Sequence, residues 1–152
     1  MRFDKKWLLF VFMLFLSVFS VISGLSGQET YNHYALEYFK KSLECLLKGD
    51  YNSAINYCNQ VIARDPKSAV TYTIRARAYF EKNDMDNAIK DCTQAIKLDS
   101  NNISAYSIRG NAYAKDGNLS KAISDWQVVL KLDPENESAK YNIELALKTL
   151  KS

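Results

Sequence analysis

The sequence predicts an all-α protein, built as a solenoid of stacked helix pairs, and three observations support this fold class. The first is a 34-residue period, which makes Tyr72 and Tyr106 equivalent. The second is the spacing of apolar and small residues within each copy, which follows one helical face. The third is a break at the middle and at the end of each copy. Since a unit of this size cannot bury its own apolar face, we expect neighbouring units to stabilise one another.

The third copy, residues 103–136, shows the helix pair most clearly. Gly117 can take the left-handed conformation that separates helix A from helix B, and Pro134 ends helix B because proline disfavours helical backbone before it. Small side chains at Gly110 and Ala122 allow the two helices to approach closely. One face of helix A is formed by Tyr106, Arg109, Gly110 and Tyr113. The apolar stripe of helix B is formed by Ala122, Trp126, Val129 and Leu130.

The recurring order of aromatic, small residue, aromatic, alanine and closing proline resembles the tetratricopeptide repeat family. Its positions are Tyr38, Ser42, Cys45 and Ala54, then Tyr72, Ala76, Tyr79 and Ala88, then Tyr106, Gly110, Tyr113 and Ala122. The resemblance implies a right-handed α-solenoid of three helix-turn-helix repeats over residues 35–68, 69–102 and 103–136. A capping helix over residues 137–152 follows, and a polar lead-in over residues 28–34 precedes the repeats.

Some positions depart from the family pattern. Asn83 replaces the turn glycine and is the residue next best suited to a left-handed conformation. Ser100 stands in place of the second closing proline, where residues 100–102 can still cap the following helix. Arg75 and Arg109 occupy positions that are usually leucine, and we expect their stems to pack while their guanidinium groups reach solvent.

The last segment predicts a seventh helix that covers the end of the stack. A terminal helix with one polar face shields the last apolar surface of a repeat array. Lysines 140, 148 and 151 lie on the polar side. The apolar face is predicted to comprise Ala139, Ile143, Ala146, Leu147 and Leu150.

The N-terminal segment has the layout of a signal peptide. Basic residues within the first six positions precede an apolar run over residues 7–22, and small residues follow at 23–27. Cleavage would begin the mature chain at Gly27 or Gln28. The alternative is an uncleaved membrane anchor, because residues 7–25 are long enough to span a bilayer. Residues 1–27 are thus a signal peptide or an N-terminal membrane anchor, and in both cases we expect the repeats to be exported, either periplasmic or secreted, or anchored.

Composition argues against several classes of function. The formal net charge of +3 falls largely on the first six residues, so the repeats are nearly neutral and we expect no nucleic-acid partner. The chain has no phosphate-binding loop, no Gly-x-Ser-x-Gly motif and no His/Cys metal spacing. Its one histidine, His33, is expected at the surface. We therefore expect no enzyme activity, no metal and no cofactor.

Two sets of residues leave alternatives open. Cys45 and Cys58 occupy inward positions of one helix pair, so they either form a disulfide or, with Cys92, remain buried thiols. Asn102, Asn118 and Asn136 each begin an N-glycosylation acceptor pattern, but asparagine at a helix start is also a favoured cap.

The resemblance implies a protein-protein interaction function, with a peptide or helix of a partner held in the concave groove formed by the A helices. The groove floor is predicted to change from apolar to mixed to polar along the stack, which suits a segment anchored at one end. Its residues are Leu36, Phe39, Leu43, Leu46 and Leu47 in the first repeat, Thr73, Arg77, Phe80 and Glu81 in the second, and Ser107, Asn111 and Lys115 in the third.

The leucines of the first repeat have alternative explanations. Residues 28–34, a membrane surface or a second copy of the chain would also cover them, and the last case predicts a self-associating homodimer. Family members that grip a C-terminal carboxylate do so with converging lysine, asparagine and arginine side chains. None of these types stands at the matching positions, so we expect no binding of chaperone tails. The matching residues are Phe39, Leu43, Ile74, Ser104 and Ile108.

Overall fold

A computed structural model describes residues 34–151, which form seven helices and contain no strand. The N-terminal segment, most of the lead-in and His33 lie outside these residues. Within residues 34–151 no helix has both the length and the apolar content needed to cross a membrane. The helices are α1 over residues 34–47, α2 Tyr51–Arg64, α3 Ala69–Glu81, α4 Met85–Leu98, α5 Ile103–Lys115, α6 Leu119–Leu132 and α7 Glu137–Lys151.

Local signals at the helix ends explain where the helices begin. A side-chain oxygen of Asp50, Ser68, Asp84, Asn102 or Asn118 accepts a hydrogen bond from a backbone N–H three residues further on. Asn136 does the same for α7, with its Oδ1 atom 3.1 Å from the Ala139 nitrogen. These bonds satisfy amide groups that a helix leaves unpaired at its start. The three asparagines of the glycosylation patterns therefore all serve as N-caps.

The turn inside each repeat uses one residue with positive φ. These residues are Gly49 at 77°, Asn83 at 64° and Gly117 at 79°. The prediction that Asn83 takes over the role of glycine in the second repeat is confirmed. An L-residue other than asparagine is disfavoured in this conformation, so the three turns keep the same geometry despite the substitution.

The two helices of a repeat meet through side chains whose sizes compensate each other. Ser42 and Cys58 are both fully buried and lie next to each other, and Ala76 packs in one cluster with Cys92. In the third repeat the pair is Gly110 and Trp126, and a Cβ atom on Gly110 would lie 2.7 Å from Trp126 Nε1. The indole therefore requires the glycine.

All three cysteines are free, which is the second of the two alternatives above. Cys58 and Cys92 are fully buried, and Cys45 is half-buried. Burial raises the pKa of the Cys58 thiol to about 11 and that of the Cys92 thiol to about 12. Because the thiolate is the reactive form, these two groups pack as small apolar side chains and are inert at neutral pH.

The prediction for Arg75 and Arg109 is wrong in one respect, because their guanidinium groups are bound to buried carboxylates instead of projecting into solvent, and the side chains are only 18% and 17% exposed. Nε and Nη2 of Arg75 each donate to one carboxylate oxygen of Asp91 at 2.7 Å. Arg109 binds Asp125 in the same way, with both distances 2.8 Å. The two aspartates are 4% and 5% exposed. We call these bidentate pairs the Arg75 clamp and the Arg109 clamp.

Each clamp also reaches back to the preceding repeat. The Nη1 atom of Arg75 donates to Asn59 Oδ1 at 2.6 Å, and that of Arg109 donates to Thr93 Oγ1 at 3.2 Å. Asn59 and Thr93 are one period apart, so the two clamps are equivalent. Hydrogen bonding to Asp125 outweighs burial and raises the pKa of Arg109 above its ordinary value, so the guanidinium group of Arg109 is charged at neutral pH.

The last helix covers the stack less completely than predicted. Ala139 and Ala146 are buried against α6 and Ile143 packs beside them, but Leu147 and Leu150 are 43% and 54% exposed. Leu147 is one period after Tyr113, which packs against helix B of its own repeat. No helix B follows α7 within residues 34–151, so this side of α7 has no packing partner there.

The pair of Gly110 and Trp126 gives a stability prediction. We expect Gly110→Ala to lower the free energy of unfolding by about 1 to 3 kcal/mol, because the added methyl overlaps the indole. In a Trp126→Cys background, which copies the second repeat, the same substitution should change it by less than about 1 kcal/mol, since alanine is the better helix former. Urea unfolding followed by circular dichroism measures both differences. An equal loss in the two backgrounds would contradict the packing explanation.

Candidate functional site: the concave groove

The A helices of the repeats, α1, α3 and α5, and the last helix α7 contribute residues to two clefts. These helices carry equivalent pairs of residues at intervals of one repeat. They are Phe39 and Leu43, Thr73 and Arg77, Ser107 and Asn111, and Tyr141 and Leu145. The fourth pair was missed by the sequence analysis, although adding one period to Ser107 and Asn111 would have found it.

The first cleft lies where α1, α3 and α5 meet and encloses about 400 Å³. It brings together four residues that the sequence predicted, Leu46, Thr73, Arg77 and Ser107. Its other lining residues are Ile74, Ile103, Ser104, Ile108 and Asn136.

The second cleft lies where α3, α5 and α7 meet and encloses about 390 Å³. Phe80, Asn111 and Lys115 were predicted to face the groove and do line this cleft. The sequence analysis did not include the remaining residues of its wall, all of which except Ala114 on α5 come from helix B of the third repeat and from α7. They are Ala114, Leu119, Trp126, Asn142, Leu145, Ala146 and Thr149.

Three lining positions of the two clefts are equivalent under the repeat, one of them held by Ile108 in the first cleft and by Asn142 in the second. Leu46 and Arg77 in the first cleft occupy the positions that Phe80 and Asn111 occupy in the second. The first cleft therefore carries a cation where the second carries an amide. The second cleft also has larger apolar side chains on its walls. One architecture thus offers two neighbouring subsites of different chemistry.

Hydrogen bonds fix the amide of Asn111. Its Oδ1 atom accepts from Trp126 Nε1 at 3.1 Å and from Asn142 Nδ2 at 3.3 Å. The indole nitrogen can only donate, so the amide oxygen must point toward it. The Nδ2 group of Asn111 therefore turns away from Trp126, where it can donate to a bound acceptor.

Two cationic side chains line the clefts, and they differ in whether they form a salt bridge within residues 34–151. Arg77 forms an exposed ion pair with Glu81 on the next turn of α3, at 2.6 Å. The ammonium group of Lys115 lies 4.7 Å from the centre of the Phe80 ring and 3.5 Å from Asn83 Oδ1. No carboxylate of residues 34–151 forms a salt bridge with Lys115, so its charge remains available to a ligand.

Five of the predicted groove residues line neither cleft. Leu36, Leu47 and Glu81 are exposed, with Leu47 at 88%, whereas Phe39 and Leu43 are half-buried on α1. The alternative that residues 28–34 cover these side chains concerns residues that lie mostly outside the described part of the chain. The predicted change from apolar to polar along the floor is incomplete, because Tyr141 and Leu145, 64% and 51% exposed, make the far end apolar again.

The groove and helix pairs define a class of protein, the helical repeat scaffold. Models of the tetratricopeptide repeat match residues 38–68, 76–117 and 103–136. Together with the solved structures described next, these matches show that the chain belongs to the tetratricopeptide repeat family. Among curated proteins no match is found.

Several solved structures are similar to this chain over most of its length. The first TPR domain of Spaghetti (RPAP3), bound to the HSP90 peptide SRMEEVD, is 32% identical, with a TM-score of 0.77, covering 79% of this chain and 95% of that domain. The TPR domain of Arabidopsis OM64 is 27% identical, with a TM-score of 0.76 and coverage of 78% and 98%. The second TPR domain of human RPAP3, in complex with an HSP70 peptide, is 32% identical, with a TM-score of 0.72 and coverage of 76% and 97%.

The chemistry of the groove is that of a binding surface. Residues 34–151 hold no group of three or more His, Cys, Asp or Glu side chains placed to bind a metal ion. The polar groups of the clefts are an arginine, a lysine, hydroxyls and amides, which can bind a ligand through hydrogen bonds and charge. The family fold is a scaffold for interaction with other proteins.

The positions that would grip a chaperone tail lack charge. Ile74 and Ile108 are each 7% exposed and belong to the core, Phe39 and Leu43 are half-buried, and Ser104 is exposed. None of these side chains carries a positive charge, and the Ser104 hydroxyl is the only one of them that can donate a hydrogen bond to a carboxylate.

We expect the peptide SRMEEVD to show no saturable binding at micromolar concentration, because no cation stands where its C-terminal carboxylate would lie. Isothermal titration calorimetry measures this, with the first TPR domain of Spaghetti, whose structure holds the same peptide, as the positive control. A micromolar dissociation constant that is lost when the C-terminus is amidated would refute the prediction.

Proposed function

We propose that this chain is an exported adaptor that binds a segment of a partner protein in its concave groove. The observation that carries the proposal is the pair of adjacent clefts, each large enough for a side chain and each bordered by polar groups. Concave surfaces with apolar walls and a few placed polar groups are typical binding sites. The similar RPAP3 domains are peptide complexes, which supports a peptide ligand here, although the groove chemistry differs.

The proposed setting rests on the N-terminal sequence. Basic residues precede the apolar run, and such residues remain on the cytoplasmic side of a membrane. The repeats that follow would then cross the membrane, whether the segment is removed or retained.

We expect a reporter that is active only after export to be active when fused after Ser152. Deleting residues 7–22 should abolish that activity, because the apolar run directs export. Assays of the two fusions, with a cytoplasm-dependent reporter as the matched control, measure the topology. Activity of the cytoplasmic reporter alone would reverse it.

The predicted anchors of the partner segment are Phe39 and Leu43 on α1. We expect Phe39→Ala with Leu43→Ala to weaken partner binding by more than about 2 kcal/mol, the scale of an interface hot spot, with little change in melting temperature. Quantitative affinity capture with the intact exported protein measures the first effect. Circular dichroism measures the second.

The matched control removes two exposed leucines outside the groove, Leu147→Ala with Leu150→Ala, and should leave capture unchanged. If Phe39 and Leu43 are instead buried beneath another segment, the pair of substitutions lowers stability by about 2 to 5 kcal/mol for each core position. A large fall in melting temperature, with capture unchanged for the protein that remains folded, would remove this site assignment.

Self-association is a second candidate function, because large apolar side chains of the first repeat are exposed, Leu36 at 53% and Leu47 at 88%. In an isologous contact between two copies, the apolar surface of the first repeat in each copy would cover the same surface in the other. Light scattering separates the two functions, since a stable dimer that Leu47→Glu dissociates would favour self-association over peptide binding.

A further inference from the structure

We propose that the second cleft determines the specificity of the groove, by taking one large apolar side chain of an extended partner segment that carries an acidic residue about three positions away. This inference rests on the proposed function and adds the chemistry of the ligand. It depends on the shape of the second cleft, on the amide of Asn111 and on the equivalence of Arg77 and Asn111 under the repeat.

The oriented donor of Asn111 favours an extended segment over a helix, because the backbone carbonyls of a helix are already paired within it. Each cleft encloses about 400 Å³, the room for one large side chain and a short length of backbone. The walls of the second cleft are largely apolar, from Phe80, Trp126 and Leu145. Leu145 is 51% exposed, and an apolar side chain in the cleft would remove it from water.

The rim of the second cleft supplies a donor for the backbone of the segment. Trp126 and Asn142 hold the Asn111 oxygen, so the Nδ2 group is presented in a fixed orientation. A backbone carbonyl of an extended peptide is a matching acceptor. Because the orientation exists before binding, the peptide does not have to order it.

The first cleft supplies the charge. Arg77 occupies the position of Asn111 one repeat earlier and is paired only with the exposed Glu81. An exposed pair on adjacent turns is weak, so Arg77 can exchange Glu81 for a carboxylate of the ligand. Lys115 lines the second cleft, and because its ammonium forms no salt bridge within residues 34–151, it adds positive charge there.

The repeat sets the spacing of the two features. Neighbouring helices pack with axes roughly 8 to 10 Å apart, and an extended chain advances about 3.3 Å per residue. Side chains that enter equivalent positions of the two clefts are therefore about three residues apart. The order along the segment follows from its direction in the groove, and both orders keep this spacing.

The test is selection of random dodecapeptides displayed on phage against the full-length chain held in mild detergent. We expect enriched peptides to carry a leucine or an aromatic residue about three positions from an aspartate or glutamate. Selection on Leu145→Glu should lose the apolar preference, and selection on Arg77→Glu should replace the acidic preference with a basic one.

Leu147→Glu is the matched control, since Leu147 is an exposed leucine of the same helix outside the cleft, and it should leave the enriched pattern unchanged. A synthetic copy of the enriched peptide should bind at least tenfold more weakly to Leu145→Glu and within twofold of the original affinity to Leu147→Glu. Circular dichroism of each variant confirms that it folds.

The possible outcomes separate the two proposals. If no peptide is enriched on the original chain, the proposed function and this inference both fail. If peptides are enriched without the spacing, or equally on Leu145→Glu, only the inference is overturned. Enrichment of an i, i+3, i+4, i+7 apolar pattern would show a helical ligand, and peptides that match this chain's own sequence would show a second copy, each of which also overturns it.

Discussion

The Arg75 and Arg109 clamps orient the groove. An ionised carboxylate as buried as Asp91 or Asp125 needs a charged partner with matching geometry, and the guanidinium satisfies both oxygens. Residues two positions apart on a helix point in nearly opposite directions. Because Arg75 is held toward helix B, Thr73 and Arg77 on either side of it must face the groove.

The same constraint places Ser107 and Asn111 beside Arg109. Replacing a buried ion pair by apolar groups is often neutral for stability, whereas removing one partner costs about 3 to 5 kcal/mol. The clamps therefore matter more for the rotation of the A helices than for the total stability. Each clamp also binds helix B of the preceding repeat. The same contacts therefore fix the rotation of each A helix about its axis and the stacking of one repeat on the next.

The apolar ends of the groove lie where clamps are absent. Lys41 and Tyr57 replace the arginine and aspartate in the first repeat, and their contact is a cation–π interaction at 5.8 Å. Ile143 stands at the clamp position of α7. Apolar contact depends weakly on orientation, whereas a hydrogen bond weakens steeply with misalignment. Of the four equivalent pairs, the polar ones, Thr73 with Arg77 and Ser107 with Asn111, thus lie on the helices that the clamps hold, and the other two lie on α1 and α7.

Local sequence signals were enough to predict the helices, their caps and their turns, since each depends on residues close in the chain. The clamps were missed because arginine and aspartate stand 16 residues apart on different helices, and each was interpreted separately. Comparison of the copies would have found them, because both residues recur in the second and third repeats and both are missing from the first. Leu147 and Leu150 were misplaced for another reason, since helical periodicity shows a face but not whether a partner helix exists.

Packing in the third repeat and ligand recognition share one side chain. Trp126 fits only because residue 110 is glycine, and its Nε1 group then fixes the amide of Asn111. In the second repeat Ala76 and Cys92 take the places of Gly110 and Trp126, so no indole orients Arg77. The second cleft therefore has a fixed neutral donor, whereas the first has a cation on a side chain that can move. A change in the core at Gly110 would reach the groove through Trp126, which couples the specificity of the second cleft to the fold of its own repeat.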